Sequence, residues 1–369
     1  MPVYDDPEDG RTIPADALMA WTAAVLERLE TPPDIAADVA DVLVSSDRRA
    51  IASHGTARLP QYVALVEAGV MDAAARPALV RSRAAMALFD ANNGWGHHAS
   101  RVAMDAAIEG AREAGSFTAI VRNSNHFGIA GWYALRAADA GLIGISMTNA
   151  SPVVAPTRGI EALIGTNPIA MAAPAGQRAH FCLDMATSTV TLGRIEVAQR
   201  RDETLRPGWA IDATGRPTTD ADAAFDGALL PLGGVEESGG YKGYGLALLV
   251  DTLTGVLGGG APAPQIGPLF STRNGRADLG HTFVAVDPDA VDEPGAFEAR
   301  MESELDLFVA APQKPGARGR VLIPGEPEAE AERRSAERGI VIDQEHHADL
   351  LAVAARLGVT LPESSPIGG

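Results

Sequence analysis

The side chains best suited to chemistry lie in Ser53-His54-Gly55, with Arg58 and Tyr62 following at intervals of four. An imidazole exchanges a proton near neutral pH, and a guanidinium beside it can hold a carboxylate by two parallel hydrogen bonds. Together they meet the needs of interconverting a 2-keto acid and a 2-hydroxy acid. The same residues also read as a plain helix stop followed by a surface charge. His126, in Asn123-Ser124-Asn125-His126-Phe127-Gly128, is a second candidate. It follows an apolar run at a strand-to-helix junction, where α/β proteins place ligand contacts; the alternative is a satisfied loop histidine. Asp184 is a third. It ends the second of two apolar runs, 169–173 and 180–183, which read as hairpin strands joined by a Pro/Gly turn. A half-buried carboxylate is costly without a partner. Facing His54, it would fix the ring's tautomer; otherwise it caps the helix that follows. Ser53, His54 and Asp184 do not suggest a hydrolase triad, because no Gly-x-Ser-x-Gly elbow occurs.

Lys242 opens an apolar helix after a Gly-rich loop, and free backbone donors beside an ammonium suit a phosphate or ribose. It is one of two lysines, with Lys314, in a chain that otherwise uses Arg. Gly94-x-Gly96-x-x-Ala99 has the outline of a dinucleotide fingerprint. However, the next strand ends Val121-Arg122-Asn123 with no acid for a ribose, and Trp95, His97 and His98 crowd the loop. A tight structural turn is the better reading. His97-His98 and His346-His347 are adjacent pairs, and neighbours on a helix do not share a face, so no metal is expected.

These residues sit in a chain of 369 residues, long enough to bury a large core. The 48 acidic residues against 30 basic give a formal charge of −18, which excludes a broad nucleic-acid surface. A single cysteine, Cys182, rules out an intrachain disulfide and points to a reducing, cytoplasmic setting. The acidic start lacks the pattern of a signal peptide, and no apolar run reaches the ~18 residues of a membrane span.

Periodicity predicts helices from Pro14 to Leu29 and from Asp34, as N-cap, toward Ile51, placing His54 at a helix C-terminus where the dipole favours a charged ring. Strands are expected at 84–90, 117–122, 142–147, 281–287, 319–323 and 339–343. Residues 205–238 read as a long loop with apolar anchors, and 241–257 as a buried helix closed by three glycines. Residues 1–12 are expected to be a flexible arm and the tail from Leu361 to be loose.

The segments SHGTARLPQYV, NSNHFGIAGWYA, GTNPIAMAAP, DMATS, PGWAIDATGRPTTD, LPLGG, KGYGLAL and PGEPE resemble, in order, those of the malate/L-lactate dehydrogenase family. That family also holds sulfolactate and ureidoglycolate dehydrogenases and cyclic imino-acid reductases. The resemblance implies an α/β, L-sulfolactate-dehydrogenase-like fold with a mixed-sheet, non-Rossmann nicotinamide-binding domain over 81–289. A helical substrate and dimerisation region would comprise 13–80 and 290–369. It implies NAD or NADP, with NAD preferred, a small carboxylate substrate and a homodimer, without nucleic acid or membrane. The cofactor is expected to touch His126, Phe127, Gly128, Ile129 and Ala130, then Asp184, Met185 and Ala186, then Lys242, and finally Gly325, Glu326 and Pro327. His54 is expected to exchange the proton, with Ser53 and Asp184 in a relay, Arg58 and Tyr62 on substrate, and His126 as the runner-up donor.

Two departures stand out. Gly193 is followed by Arg194 where many relatives carry Lys, and the loop GGVEESGGYKGYG is long, as in the malate/sulfolactate branch. Reduction of a cyclic imino acid is the nearest alternative activity, and a non-catalytic binding protein on the same scaffold is the alternative of another class.

Overall fold

Pro14 and Pro32 each stand just before a helix, where a fixed φ and a missing N–H cost nothing. A computed structural model describes residue 7 and residues 10–273, 275–317 and 319–367. Strand β1 (Arg11–Ile13) leads into α1 (Ala15–Glu27) and α2 (Pro33–Arg48). Helix α2 is rich in β-branched residues, which cost a few tenths of a kcal/mol each in a helix, but burying each such side chain returns about 1.5–3 kcal/mol. Ile35, Val39, Val42 and Val44 are all fully buried. Asp34 lies inside the first turn instead of capping it, and pairs with Arg76 through two bonds of 2.7 and 2.8 Å. The helix ends at Arg48, earlier than the periodicity predicts. Two 3-10 turns, Ala52–His54 and Thr56–Arg58, then lead to α3 (Leu59–Glu67).

The central sheet is built from β2 (Ala78–Arg83), β3 (Met86–Asp90), β4 (Ser116–Ser124), β5 (Ile143–Thr148), β6 (Ile169–Ala173), β7 (Phe181–Met185) and, from later in the chain, Leu279–Val286. That last strand inserts between β4 and β5. Only β3 and β4 run parallel among these neighbours; the rest are antiparallel, which makes the sheet mixed. Helices α4 (Gly96–Ala114) and α5 (Ala130–Asp139) cover one face through Ala103, Met104, Ala107, Tyr133 and Ala137. The Gly94–Ala99 stretch is a tight entry into α4: Trp95 and His97 are buried, and a Cβ on Gly96 would strike the carbonyls of Asn125 and His126.

Residues 205–238 build a small sheet of their own from β8 (Ala210–Ile211), β9 (Pro217–Thr218) and β10 (Ala228–Leu229), with α6 (Leu192–Arg200) and α7 (Ala221–Phe225) beside it. Helix α8 (Gly240–Asp251) runs on through a π turn at Thr252–Val256. It is not the buried helix expected from its composition. Tyr241, Leu248, Leu249, Val256 and Leu257 are exposed. The sheet insertion Leu279–Val286 is β11, followed by α9 (Ala296–Val309), α10 (Glu326–Arg338), β12 (Ile340–Ile342), α11 (Gln344–Leu357) and β13 (Ser365–Pro366).

Several expectations need correction here. Residues 319–323 form no strand among the described positions; Ile323 packs by Phe181, and just beyond it the Pro324 carbonyl accepts the Cys182 N–H at 3.1 Å. The tail is pinned, because β13 pairs with β1, which also pairs with β12. The arm expected over 1–12 gives way to strand by Arg11; residues 1–6, 8 and 9 lie outside the described residues. Helix α9 packs with Ala175, Phe181 and Ile323 beside the β6–β7 hairpin. A separate core joins Leu18, Trp21, Leu43, Tyr62 and Trp95 to Ile340 and Leu350. Among the described residues no helix is long and apolar enough to cross a membrane.

Candidate active site

The first 3-10 turn, not the end of α2, carries Ser53 and His54. The His54 N–H bonds the Ile51 carbonyl at 3.0 Å, and Ser53 Oγ lies 2.9 Å from His54 Nδ1. The expected dipole effect is overridden. Burial first, and the Arg58 charge second, pull the His54 pKa down to about 4, so the ring rests neutral. Arg58 donates from Nε to the Ser53 carbonyl at 2.7 Å, and its guanidinium lies 5.3 Å from the Phe270 ring centre. No carboxylate among the described residues is within ion-pair distance of it.

His126 follows β4 and stacks on His54, with ring centres 5.5 Å apart. Tyr62, buried among Trp95, His97 and Phe270, places its hydroxyl 2.6 Å from His126 Nδ1. Burial holds that phenol protonated, so it donates. The Gly128 N–H also reaches Nδ1, at 3.3 Å. With two donors on Nδ1, the ring proton of His126 sits on Nε2. Burial and the neighbouring His54 ring lower its pKa well below the usual value. Tyr62 therefore faces His126 where a substrate contact was expected. Phe127, expected on the cofactor, is a core residue stacked between Tyr133 at 5.0 Å and His281 at 4.7 Å.

Asp184 sits in β7 opposite Ala170. Its Oδ2 accepts the Gly131 N–H at 2.7 Å, so it caps the first turn of α5 from outside, where a negative charge is favoured. A Cβ on Gly131 would fall 2.8 Å from that oxygen. The expected meeting with His54 is not made: Asp184 bonds Gly131 while His54 bonds Ser53. The surrounding protein raises the Asp184 pKa to about 6 against the opposing pull of Gly131 and Arg49.

Both residues nonetheless line one cavity of about 420 Å³. Its walls include Ser53, His54, Gly128, Ile129, Ala130, Asp184, Met185, Ala186 and Gly325, all singled out by the sequence. Arg49, Ile51, Gly131, Thr166, Thr191 and Glu328 also line it and were missed. Arg49 is buried and bonds Glu332 at 2.8 Å, while Glu328 keeps one buried oxygen without a partner among the described residues. Glu328 was within reach of sequence reasoning, as the last residue of Gly-Glu-Pro-Glu. Five expected cofactor contacts are not on these walls: His126 and Phe127, placed above, and three more. Glu326 turns to Arg178 and Arg320, Pro327 is not part of the lining, and Lys242 stands exposed at the start of α8. A mostly apolar wall carrying two carboxylates, a guanidinium and an imidazole suits a nicotinamide cofactor.

Two buried imidazoles and the half-buried His54 make a stability prediction. Burial lowers the pKa of His54 to about 4, and of His97 and His281 to about 3. An unfolded histidine takes up its proton near pH 6.5, so the stability these neutral rings contribute is present above that pH and is lost as pH falls toward 4. The thermal midpoint should therefore drop between pH 6.5 and 4.5. Neither ring nitrogen of His97 has a partner among the described residues, so His97→Phe should flatten that drop. A midpoint independent of pH across this window, in the unaltered protein, would contradict the neutral assignment.

Comparison with known proteins agrees with this geometry. A family model described as Malate/L-lactate dehydrogenase matches residues 13–351. The malate dehydrogenase of Pyrococcus abyssi is 41% identical over 349 residues, covering 94% of this chain and 95% of its own. The Δ1-pyrroline-2-carboxylate reductase of Ancylobacter novellus is 35% identical, over 82% of this chain and 86% of its own. The solved malate dehydrogenase of Pyrococcus horikoshii superposes with a TM-score of 0.88 at 37% identity, covering 97% of this chain and 98% of that one. The mixed sheet, His54 on the wall of a small-residue cavity and these matches over most of the chain together place it in the malate/L-lactate dehydrogenase family of oxidoreductases.

Proposed function

We propose that the protein is an NAD(P)-dependent 2-hydroxyacid dehydrogenase acting on a small acid of the malate, lactate or sulfolactate type. The single observation that carries this reading is Arg58, a guanidinium with no carboxylate partner among the described residues, linked to His54 through Ser53. Arg58 holds the substrate carboxylate. His54, resting neutral, takes the hydroxyl proton in oxidation and returns it in reduction. Ser53 steadies the ring through Nδ1. His126, with its proton on Nε2, stacks on the His54 ring, and Tyr62 fixes that tautomer. Asp184 and Gly131 keep the end of β7 against α5 and so shape the cavity. The nicotinamide ring, when bound, supplies or accepts hydride at C4. Two carboxylates against one guanidinium on the cavity wall favour NAD, the less negative cofactor.

One observation favours the imino-acid reading. A protonated imine needs no proton from the protein, and His54 rests neutral. A panel assay separates the two: NADH and NADPH oxidation followed with 2-keto acids and with cyclic imino acids. The reading predicts turnover with a keto acid that declines as pH rises. Turnover confined to imines, flat with pH, would replace it, and no turnover with either class would leave a binding protein.

The exposed apolar residues of α8 support a homodimer, since such a face is stable against a second copy. Light scattering should give twice the chain mass. A monomer at micromolar concentration would contradict this. The single buried cysteine suits a cytoplasmic setting.

A further inference from the structure

The two turns that carry His54 and Arg58 are held from behind through Thr56, in the second of them, by Asp47 of α2 and His346 of α11. Asp47, in the last turn of α2, is buried. Its Oδ2 accepts the Thr56 N–H at 2.9 Å and the Thr56 hydroxyl at 2.6 Å. Thr56 is fully buried, and its Oγ1 lies 2.9 Å from Nε2 of His346. A hydroxyl has one proton, and here it goes to the carboxylate. Toward His346 the Thr56 oxygen can only accept, so His346 carries its proton on Nε2. His346 is itself fixed, because its backbone N–H bonds Asp343 Oδ1 at 2.7 Å in the cap of α11. The chain of donors therefore runs from α11 through Thr56 to α2.

Gly55 closes the arrangement. Its φ of −91° is open to any residue, so the glycine is not there for a left-handed turn. A Cβ at this position would overlap the Asp47 carboxylate. The backbone between His54 and Thr56 thus lies directly on the Asp47 side chain. Beyond it, the Arg58 N–H bonds the Gly55 carbonyl at 3.0 Å, and Arg58 Nε returns to Ser53. Displacing Thr56 moves both ends of the proposed reacting pair.

We propose that Asp47, Thr56 and His346 are positioning residues that lock the His54–Arg58 turn, making the placement of the C-terminal helix α11 a condition of catalysis. The proposal rests on the roles given to His54 and Arg58 above. A misplacement of ~1 Å can cost on the order of 10²-fold in rate, so loss of the lock should be read in turnover and not only in stability.

The test is Thr56→Val, which keeps the branched shape and removes the hydroxyl. Its kcat should fall by about tenfold or more, with KM for the reduced nicotinamide within about twofold, because the cavity walls at Gly128–Gly131 and β7 are untouched. Thr56→Ser should restore most of the loss. Should Thr56→Val not fold, His346→Leu and His346→Gln replace it: the first should lose turnover, and the second, whose amide can still donate to Thr56, should retain most of it. Hydrogen exchange of the 51–58 segment reads the lock without reference to turnover and should quicken in Thr56→Val while 181–186 stays unchanged. An unaltered protein without activity would count against the dehydrogenase reading alone. Unchanged kcat in Thr56→Val or His346→Leu, with only a lower thermal midpoint, would overturn the positioning role, as would unchanged exchange at 51–58.

Discussion

His54→Ala should lower turnover by about 10²–10⁴, the span expected when a general acid/base is removed, with little change in reduced-nicotinamide affinity. The expectation follows from the two rings that face each other. His126 has Nδ1 occupied by Tyr62 and Gly128, so it presents only an N–H. His54 has one nitrogen on Ser53 and the other uncommitted among the described residues, so it is the ring that can change its proton. Its pKa near 4 in the free protein makes it a base at neutral pH. In oxidation, kcat/KM should stay level from pH 8 down to about 5 and fall below that as the ring charges. In reduction, a bound carboxylate offsets the Arg58 charge and raises the His54 pKa, so the ring protonates more readily in the complex. Steady-state kinetics of His54→Ala and His126→Ala side by side check this. Near-full turnover in the first with collapse in the second would exchange the two roles.

Arg58→Leu should cut kcat/KM for a 2-keto acid by about 10²–10³, equivalent to about 3–4 kcal/mol for a lost charged pair. Most of the change should appear in KM, because the clamp holds the acid in the ground state and the transition state alike. The guanidinium is already oriented by the Ser53 carbonyl and the Phe270 ring, so little side-chain freedom is lost on binding. Arg58→Lys keeps the charge but not the planar fork, and should fall between the two. Removing the charge also relieves His54, so the acid limb of the oxidation profile should move upward in Arg58→Leu. An unchanged KM with an unmoved acid limb would remove Arg58 from the site.

The hairpin that ends on Asp184 was legible because its two apolar runs and its Pro/Gly turn are local signals, and β6 and β7 pair as that pattern requires. The partner of Asp184 was not legible, since the Gly131 N–H is brought to it by the packing of α5 on the sheet. Tyr62 and His126 meet across 64 positions, which no spacing rule reaches. The apolar run Val321-Leu322-Ile323 looked like a strand but is flanked by turn residues and makes no ladder. Helix α8 failed differently: apolar composition says that a surface avoids water, not whether it does so in the core or against a second copy. The neutral His54 was hidden because a short turn resting on Asp47 replaces the last turn of a long helix, and burial then outweighs the dipole.

The most direct test is isotope transfer. Reduced nicotinamide carrying deuterium at C4 is mixed with the protein and a small 2-keto acid, and the product is examined by mass spectrometry and NMR. Deuterium at C2 of a 2-hydroxy acid, from one face of the cofactor only, is the predicted result. Deuterium found only at C2 of a cyclic amino acid when imines are supplied, or no transfer to any acid, would contradict a 2-hydroxyacid dehydrogenase.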